Sequence, residues 1–226
     1  MRTILAVADE VDETLTAERV RDLHPDLVVS CGDLPFDYLE YLVTVAAVPL
    51  LYVPGNHDPD LSRREPAPLA VFPGPQPLVL RPPARSRWLE EDPGPRGCTN
   101  VDGRVVEVAR VLVGGLGGCV RYREGPHQYT QREMRRRALA LELRARLRYP
   151  RRRLDLLLTH APPLGTGDLE DDPAHLGFAA FHRLVRRLRP RYLLYGHVHR
   201  YGRELEDRRL GETVVANVVP HRVLEL

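Results

Sequence analysis

Val53-Pro54-Gly55-Asn56-His57-Asp58 closes a short apolar run, Pro49 to Val53, and reading the two together decides the fold. An apolar run of this length stopped by Pro-Gly is a buried strand ending in a sharp turn. Gly55 lets the backbone turn tightly without steric cost. Behind it stand an amide, an imidazole and a carboxylate. The carboxyl end of a strand is where open α/β sheets place their ligand sites. A plain turn needs only Asn-Gly or Asp-Gly, so three chemically active side chains in a row point to a site rather than a connection.

The segments on either side repeat the pattern. Ile4 to Ala8 is an apolar strand that runs into Asp9-Glu10-Val11-Asp12-Glu13, and a helix from about Thr14 to Leu23 stops at Pro25. Leu27 to Ser30 is a second strand, ending in Cys31-Gly32-Asp33. Pro35 stands where a helix N1 proline belongs, ahead of one apolar face made by Leu39, Leu42, Val43 and Ala46. Two strand–helix–strand units in succession predict a largely parallel sheet with right-handed crossovers. Three strands then carry their polar ends to one edge.

Farther along, Pro59 to about Pro95 is proline-rich and reads as irregular surface chain, with a short strand at Leu78 to Leu80 and Trp88 packing it down. Asp102-Gly103 is the expected turn of a hairpin between Cys98-Thr99-Asn100 and Val105 to Val113. The run Gly114 to Gly118 ends that strand. Gln131 to Tyr149 is an Arg-rich amphipathic helix with Met134, Ala138, Leu141 and Ala145 along one face. Asp155 to Leu158 is a strand leading to Thr159-His160. A loop with Asp168, Glu170, Asp171 and Asp172 precedes a helix bearing Phe178, Phe181, Val185 and Leu188. Tyr192 to Tyr195 is a strand ending in Gly196-His197-Val198-His199. Thr213 to Asn217 and Arg222 to Leu226 read as a final pair of strands.

Composition bounds the function. A chain of 226 residues with 43% hydrophobic residues builds a core and fits one domain, residues 1–226, with the proline-rich segment at about 59–97 inside it. The net charge of +2 gives no global pull towards nucleic acid, and every basic residue is Arg. The three cysteines, Cys31, Cys98 and Cys119, lack metal-type spacing and read as reduced thiols. With neither a signal-type leader nor a transmembrane-length run, the chain reads as cytoplasmic, with no membrane partner.

Collected, the strand ends supply Asp9, Asp33, Asn56, His57, His160, His197 and His199. Oxygen and nitrogen donors without thiolates suit Mn, Fe, Co or Zn better than a structural zinc. On an extended strand end His197 and His199 would face opposite ways, so only a turn at Gly196 brings both to one pair of metals. Asp9 and Asp33 each precede a helix and would also serve as N-caps.

This pattern resembles the calcineurin-like metallophosphoesterase family, from Asp9 to His199 and in the family's order: Asp9, Gly32-Asp33, Gly55-Asn56-His57-Asp58, His160, and Gly196-His197-Val198-His199. The resemblance implies a two-sheet α/β/β/α sandwich with mostly parallel core strands. It implies two divalent cations roughly 3.5–4 Å apart and hydrolysis of a phosphomonoester or phosphodiester by a metal-activated hydroxide. Asp33 would bridge the metals, Asn56, His160 and His197 would complete one site, and Asp9 and His199 would belong to the other. His57, hydrogen-bonded to Asp58, would stabilise phosphoryl oxygens or protonate the leaving group.

One motif departs from the family. Its Asp-x-His is here Asp9-Glu10-Val11, and Val11 binds no metal. The Asp9/His199 site is therefore expected to be the weaker. Glu10 reaches it only if the loop bends; His221 or a water is the other choice. Arg121, Tyr122, His127 and His175 are expected substrate contacts, His175 as part of a lid. A small phosphorylated substrate is the expected partner, with nucleic acid along Arg132 to Arg153 as an alternative. A catalytically weakened binding scaffold on the same fold is the other rival, although a scaffold has no use for His57 and Asp58.

Overall fold

The computed structural model describes residues 1–61, 94–169, 171–199 and 206–226. The strand expected at Leu78 to Leu80, Trp88 and Glu170 lie outside them. The first sheet takes β1 (Thr3–Val7), β2 (Leu27–Ser30), β3 (Leu50–Tyr52) and β4 (Cys98–Asn100), all parallel. Between them run α1 (Ala17–Asp22) and α2 (Phe36–Ala46). The chain then crosses to a second sheet. Its members are β5 (Val105–Val108), β6 (Val111–Leu116), β9 (Leu156–Thr159), β10 (Tyr192–Tyr195), β11 (Arg208–Leu210) and β12 (Thr213–Asn217). A two-stranded ribbon, β7 (Cys119–Val120) with β8 (Gln128–Tyr129), leads into α3 (Gln131–Arg148), and α4 (Ala180–Leu188) precedes β10. The last strand, β13 (His221–Glu225), returns to pair with β1.

Strand periodicity explains the layers. In β1, Ile4 and Ala6 face one way and pack with Val29, Val53, Val113, Leu158 and Leu194 between the sheets, while Leu5 and Val7 face α2 with Leu39 and Leu42. On the far side, Leu157, Leu193 and Val215 pack against Met134, Leu141, Phe181 and Leu184 of α3 and α4. The result is an α/β/β/α sandwich. Each fully buried aliphatic side chain contributes about 2 kcal/mol of transfer free energy, so three stacked cores hold the layers in register.

Helix ends follow local chemistry. α1 starts later than the apolar pattern suggests, because the Thr16 hydroxyl accepts from the Arg19 amide at 3.2 Å and caps it there. Pro35 is the N-cap of α2 rather than its first turn. Neither Asp9 nor Asp33 caps a helix. α3 opens on a capping box between Thr130 and Glu133.

One expected pairing is corrected. Cys98–Asn100 does not pair with Val105–Val113; it extends the first sheet beside β3, and Asp102-Gly103 marks the crossing to the second. The real hairpin joins β5 to β6, and its turn residues Ala109 and Arg110 both take positive φ, 51° and 62°. Both expected tail strands form, in different sheets. β12 lies beside β10 in the second sheet, and β13 closes the first. Among the described residues, no helix is long and apolar enough to cross a membrane.

Candidate metal centre

Parallel pairing places the carboxyl ends of β1, β2 and β3 at one edge of their sheet, and those of β9 and β10 at one edge of theirs. The two edges meet. Asp9, Asp33, His160 and His197 offer ligand atoms that all lie within 4.8 Å of one another. Asp9, Asp33 and His197 adopt left-handed backbone, with φ of 61°, 57° and 65°. That conformation costs roughly 1–2 kcal/mol per residue. It makes the chain turn at once on leaving each strand, so the side chain is aimed across the gap rather than along the strand.

The cradle leaves no spare room. A Cβ on Gly196 would collide with Asp9 Oδ2, and one on Gly55 with the Asp33 carboxylate. The backbone approaches these carboxylates because hydrogen bonds tie it there. The His197 amide donates to Asp9 Oδ2 at 2.8 Å, and the His57 amide to Asp33 Oδ1 at 2.7 Å.

His160 is fully buried and sits at the centre. Its Nδ1–H donates to the Cys31 carbonyl at 2.8 Å, which aims Nε2 at Asn56 Oδ1 (3.0 Å) and Asp33 Oδ2 (3.3 Å). His197 donates Nε2–H to the Ala174 carbonyl at 2.7 Å, so Nδ1 is the nitrogen left for a cation. The His160 and His197 rings are 4.8 Å apart between centroids.

Charge is divided unevenly. Burial works against the His160 cation, but the Asp33 and Asp9 carboxylates prevail and push its pKa up to about 9. Burial and the neighbouring His160 charge push His197 down to about 3. Burial would raise Asp33, yet the His160 charge and hydrogen bond and the His57 amide hold it down at about 2. For Asp9 burial wins, and its pKa rises to about 6 despite His160. The metal-free site therefore rests on a His160–Asp33 ion pair beside a neutral imidazole and a carboxylate that is costly to ionise.

The other expected residues are placed as follows. Asn56 is buried, and its Nδ2 donates to the Tyr122 hydroxyl at 3.5 Å. His57 is exposed, close enough for its charge to act on Asp33. Its expected pairing with Asp58 is corrected: Asp58 Oδ2 accepts the Gly55 amide at 2.7 Å and the Asp33 amide at 3.1 Å, and among the described residues no hydrogen bond joins it to the His57 ring. Asp58 thus holds the turn that presents Asp33.

His175 packs its ring 4.9 Å from His197 and takes Asp172 as its carboxylate partner at 2.6 Å. Arg121 is taken up by Glu133 at 3.0 Å, and His127 by the Pro59 carbonyl at 3.1 Å. Both line a cavity of about 440 Å³ with Asp58 and Tyr129 and stand outside the Asp/His group. His199 also stands outside that group, hydrogen-bonded to Glu10. On α3, Arg137 is spent on Asp102 (2.5 Å) and Arg146 on Glu142 (3.1 Å). Sequence reasoning missed the Cys31 and Ala174 carbonyls that orient the imidazoles, and no residue type signals a backbone acceptor.

A sequence profile described as calcineurin-like phosphoesterase matches residues 5–201. The chain belongs to the calcineurin-like phosphoesterase family. UPF0046 protein T07D4.2 of Caenorhabditis elegans is 45% identical over 47 residues, a stretch covering 20% of this chain and 12% of that protein. One solved structure aligns over 96% of this chain and 90% of its own at 18% identity, with a TM-score of 0.58. Another, TT1561 of Thermus thermophilus, aligns over 95% and 87% at 18% identity, with a TM-score of 0.55. These two share the fold.

Members of the calcineurin-like phosphoesterase family hold divalent metal, and the residues present fit one. Two carboxylates and two imidazoles converge with hard and borderline donors, and each imidazole has its other nitrogen committed to a carbonyl.

Proposed function

We propose that the chain is a metal-dependent hydrolase of a small phosphomonoester or phosphodiester. The observation that carries the reading is the convergence of Asp9, Asp33, His160 and His197, from four different strand ends, within 4.8 Å. Asp33, with the lowest pKa of the group and a place between His160 and the His57 amide, suits a bridging role between two cations. Asn56, His160 and His197 would hold one cation, with Asp9 and His199 serving the other. Manganese, iron, zinc or cobalt suits such donors. Cations held there would supply Lewis acidity, lowering the pKa of water and neutralising phosphoryl charge.

The chain's own groups do the rest. His57 stands at the exposed rim with its backbone fixed by Asp33, placed to hold phosphoryl oxygens or give a proton to the leaving group. Tyr122 and His175 flank the rim next to Asn56 and His197, where a substrate would touch them. The three cysteines form no disulfide, which supports a reducing, cytoplasmic setting.

The test is hydrolysis of bis-(p-nitrophenyl) phosphate and p-nitrophenyl phosphate by purified protein with manganese. We expect turnover that EDTA abolishes, that Asp33→Ala removes, and that His57→Ala lowers by about 10²–10⁴-fold while manganese still binds. Variants that turn over as fast as the parent would overturn the assignment.

A further inference from the structure

Charge is shared unevenly between the outer layer and the rest of the chain. α3 and α4 together carry ten arginines against two glutamates, a net of +8, whereas the whole chain carries +2, so the remainder stands at −6 with histidines neutral. Local pairing leaves much of the helical charge uncompensated. Glu142, buried where α3 meets α4, gathers Arg146 at 3.1 Å and Arg183 and Arg187 at 3.2 Å, so three guanidinium groups answer one carboxylate. Arg132, Arg135 and Arg136 are exposed and make no ion pair among the described residues. An apolar line runs through this basic surface. Leu139, Leu143 and Leu147 stand 41%, 58% and 74% exposed, and their four-residue spacing stacks them along one ridge of α3. Beside Leu139 the seam between the helices opens into a hollow of about 460 Å³, lined by Ala138, Ala180 and Leu184 and bordered by Arg132, Arg135 and Arg183. A single exposed leucine calls for no explanation, but an apolar strip that ends in a hollow marks an interaction surface.

We propose that the α3–α4 face docks an acidic amphipathic helix of another protein. Its apolar side chains would enter the hollow and follow the leucine ridge, and its carboxylates would meet the arginines on either side. Charge and shape together choose this occupant. A second copy presenting the same face would set +8 against +8, and like-charge repulsion opposes that contact. Nucleic acid would satisfy the guanidinium groups but has no use for an apolar hollow. A groove built for bases offers aromatic rings to stack on, and the hollow's lining has none. A membrane surface is flat, and an amphipathic helix lies in it without a concave receptor. An acidic helix uses every feature of the face. One apolar anchor fills the hollow, the next ones pack along Leu143 and Leu147, and carboxylates take the spare guanidinium groups in bidentate pairs. Nothing in this depends on the metal centre.

The probe is a fluorescein-labelled synthetic peptide of about 20 residues, long enough to form a helix, with leucines along one face and glutamates elsewhere. One control is the same composition scrambled so that the leucines no longer share a face, and the other replaces the glutamates with lysines. By fluorescence anisotropy against the full chain at about 0.15 M salt, the acidic helix should bind saturably and roughly tenfold more tightly than either control. The double variant Leu139→Gln/Leu143→Gln should weaken it about tenfold, and Arg132→Gln/Arg135→Gln should do the same. Both should keep the parent's thermal midpoint, because all four side chains are exposed. The peptide controls use the parent chain, so a variant that folded poorly would leave that comparison intact. No saturable binding, equal affinity for the scrambled peptide, or a leucine variant that binds like the parent overturns the inference. So does a leucine-dependent dimer in sedimentation, tighter binding to polyuridylate, or leucine-dependent flotation with phosphatidylserine vesicles, since each assigns the face to a different occupant.

Discussion

Replacing Asp9 with Asn should make the metal-free protein more stable and the metal-loaded protein less stable than the parent. The Asp9 carboxyl is raised from 3.8 to about 6, burial being the largest cause, with the His160 charge pulling it partly back. For an acid displaced upwards, stability is fully present below the unfolded value, near pH 4, and is lost as pH rises through about 6. A displacement of about two pH units, at ~1.4 kcal/mol each, is about 3 kcal/mol lost by pH 7.5. The carbonyl oxygen of the substituted amide side chain can still accept from the His197 backbone, so the neutral substitute keeps that hydrogen bond. Some of the gain goes to the amide group's own desolvation, leaving about 1–3 kcal/mol. For a chain of this size that is about 2–12 °C in Tm. Thermal unfolding in EDTA should show Asp9→Asn above the parent at pH 7.5, with the gap closing towards pH 4. With manganese at ~1,000 times the Kd of the site that Asp9 serves, the parent gains about 4.1 kcal/mol that the variant does not, and the order reverses. An Asn variant less stable than the parent in EDTA, or a gap indifferent to pH, would refute the electrostatic account.

Asp33→Asn should behave oppositely. Its carboxyl is depressed to about 2, so it stabilises above about pH 4 and loses that contribution as pH falls through 2. The variant should be less stable than the parent by about 2 kcal/mol in EDTA at pH 7.5, by denaturant unfolding, and should bind no manganese. His175→Ala should raise KM with manganese affinity unchanged, since His175 touches His197 through its ring while Asp172 holds its Nδ1. A changed manganese titration would instead make it part of the metal support. Gly196→Ala should cost about 1–3 kcal/mol and weaken metal binding, because its Cβ collides with Asp9 Oδ2; an unperturbed titration would contradict the cradle geometry.

Why the site was more legible than the topology follows from what each depends on. Asp9, Asp33, Asn56, His160 and His197 each follow an apolar run, and parallel pairing carries such ends to one edge of each sheet. Strand order and sheet membership are not local. Asp102-Gly103 is a true turn signal, with Gly103 at φ 66°, yet it changes sheets, because Asp102 is drawn to the Gly117 amide and to Arg137. The real hairpin turn, Ala109-Arg110, carries no Gly or Asn to announce its left-handed backbone. Likewise β12 and β13 look like partners because they are neighbours in sequence, but each pairs with a strand laid down earlier.

The same distinction governs the chemistry. A residue type reports which donor it offers, and only the fold reports which atom of it faces inward. His160 and His197 are the same residue type, yet the Cys31 carbonyl commits Nδ1 of one and the Ala174 carbonyl commits Nε2 of the other. They therefore present different nitrogens to one cavity. Asp58 shows the converse. Its position next to His57 suggests a catalytic pair, but its carboxylate is drawn to the Gly55 and Asp33 amides, two donors that no side-chain pattern displays. Removing it should loosen Asp33 before it alters His57. Asp58→Asn keeps one acceptor oxygen, so it should retain more manganese affinity than Asp58→Ala. A pair that acted through the His57 ring would instead lose turnover equally in both, with metal binding untouched.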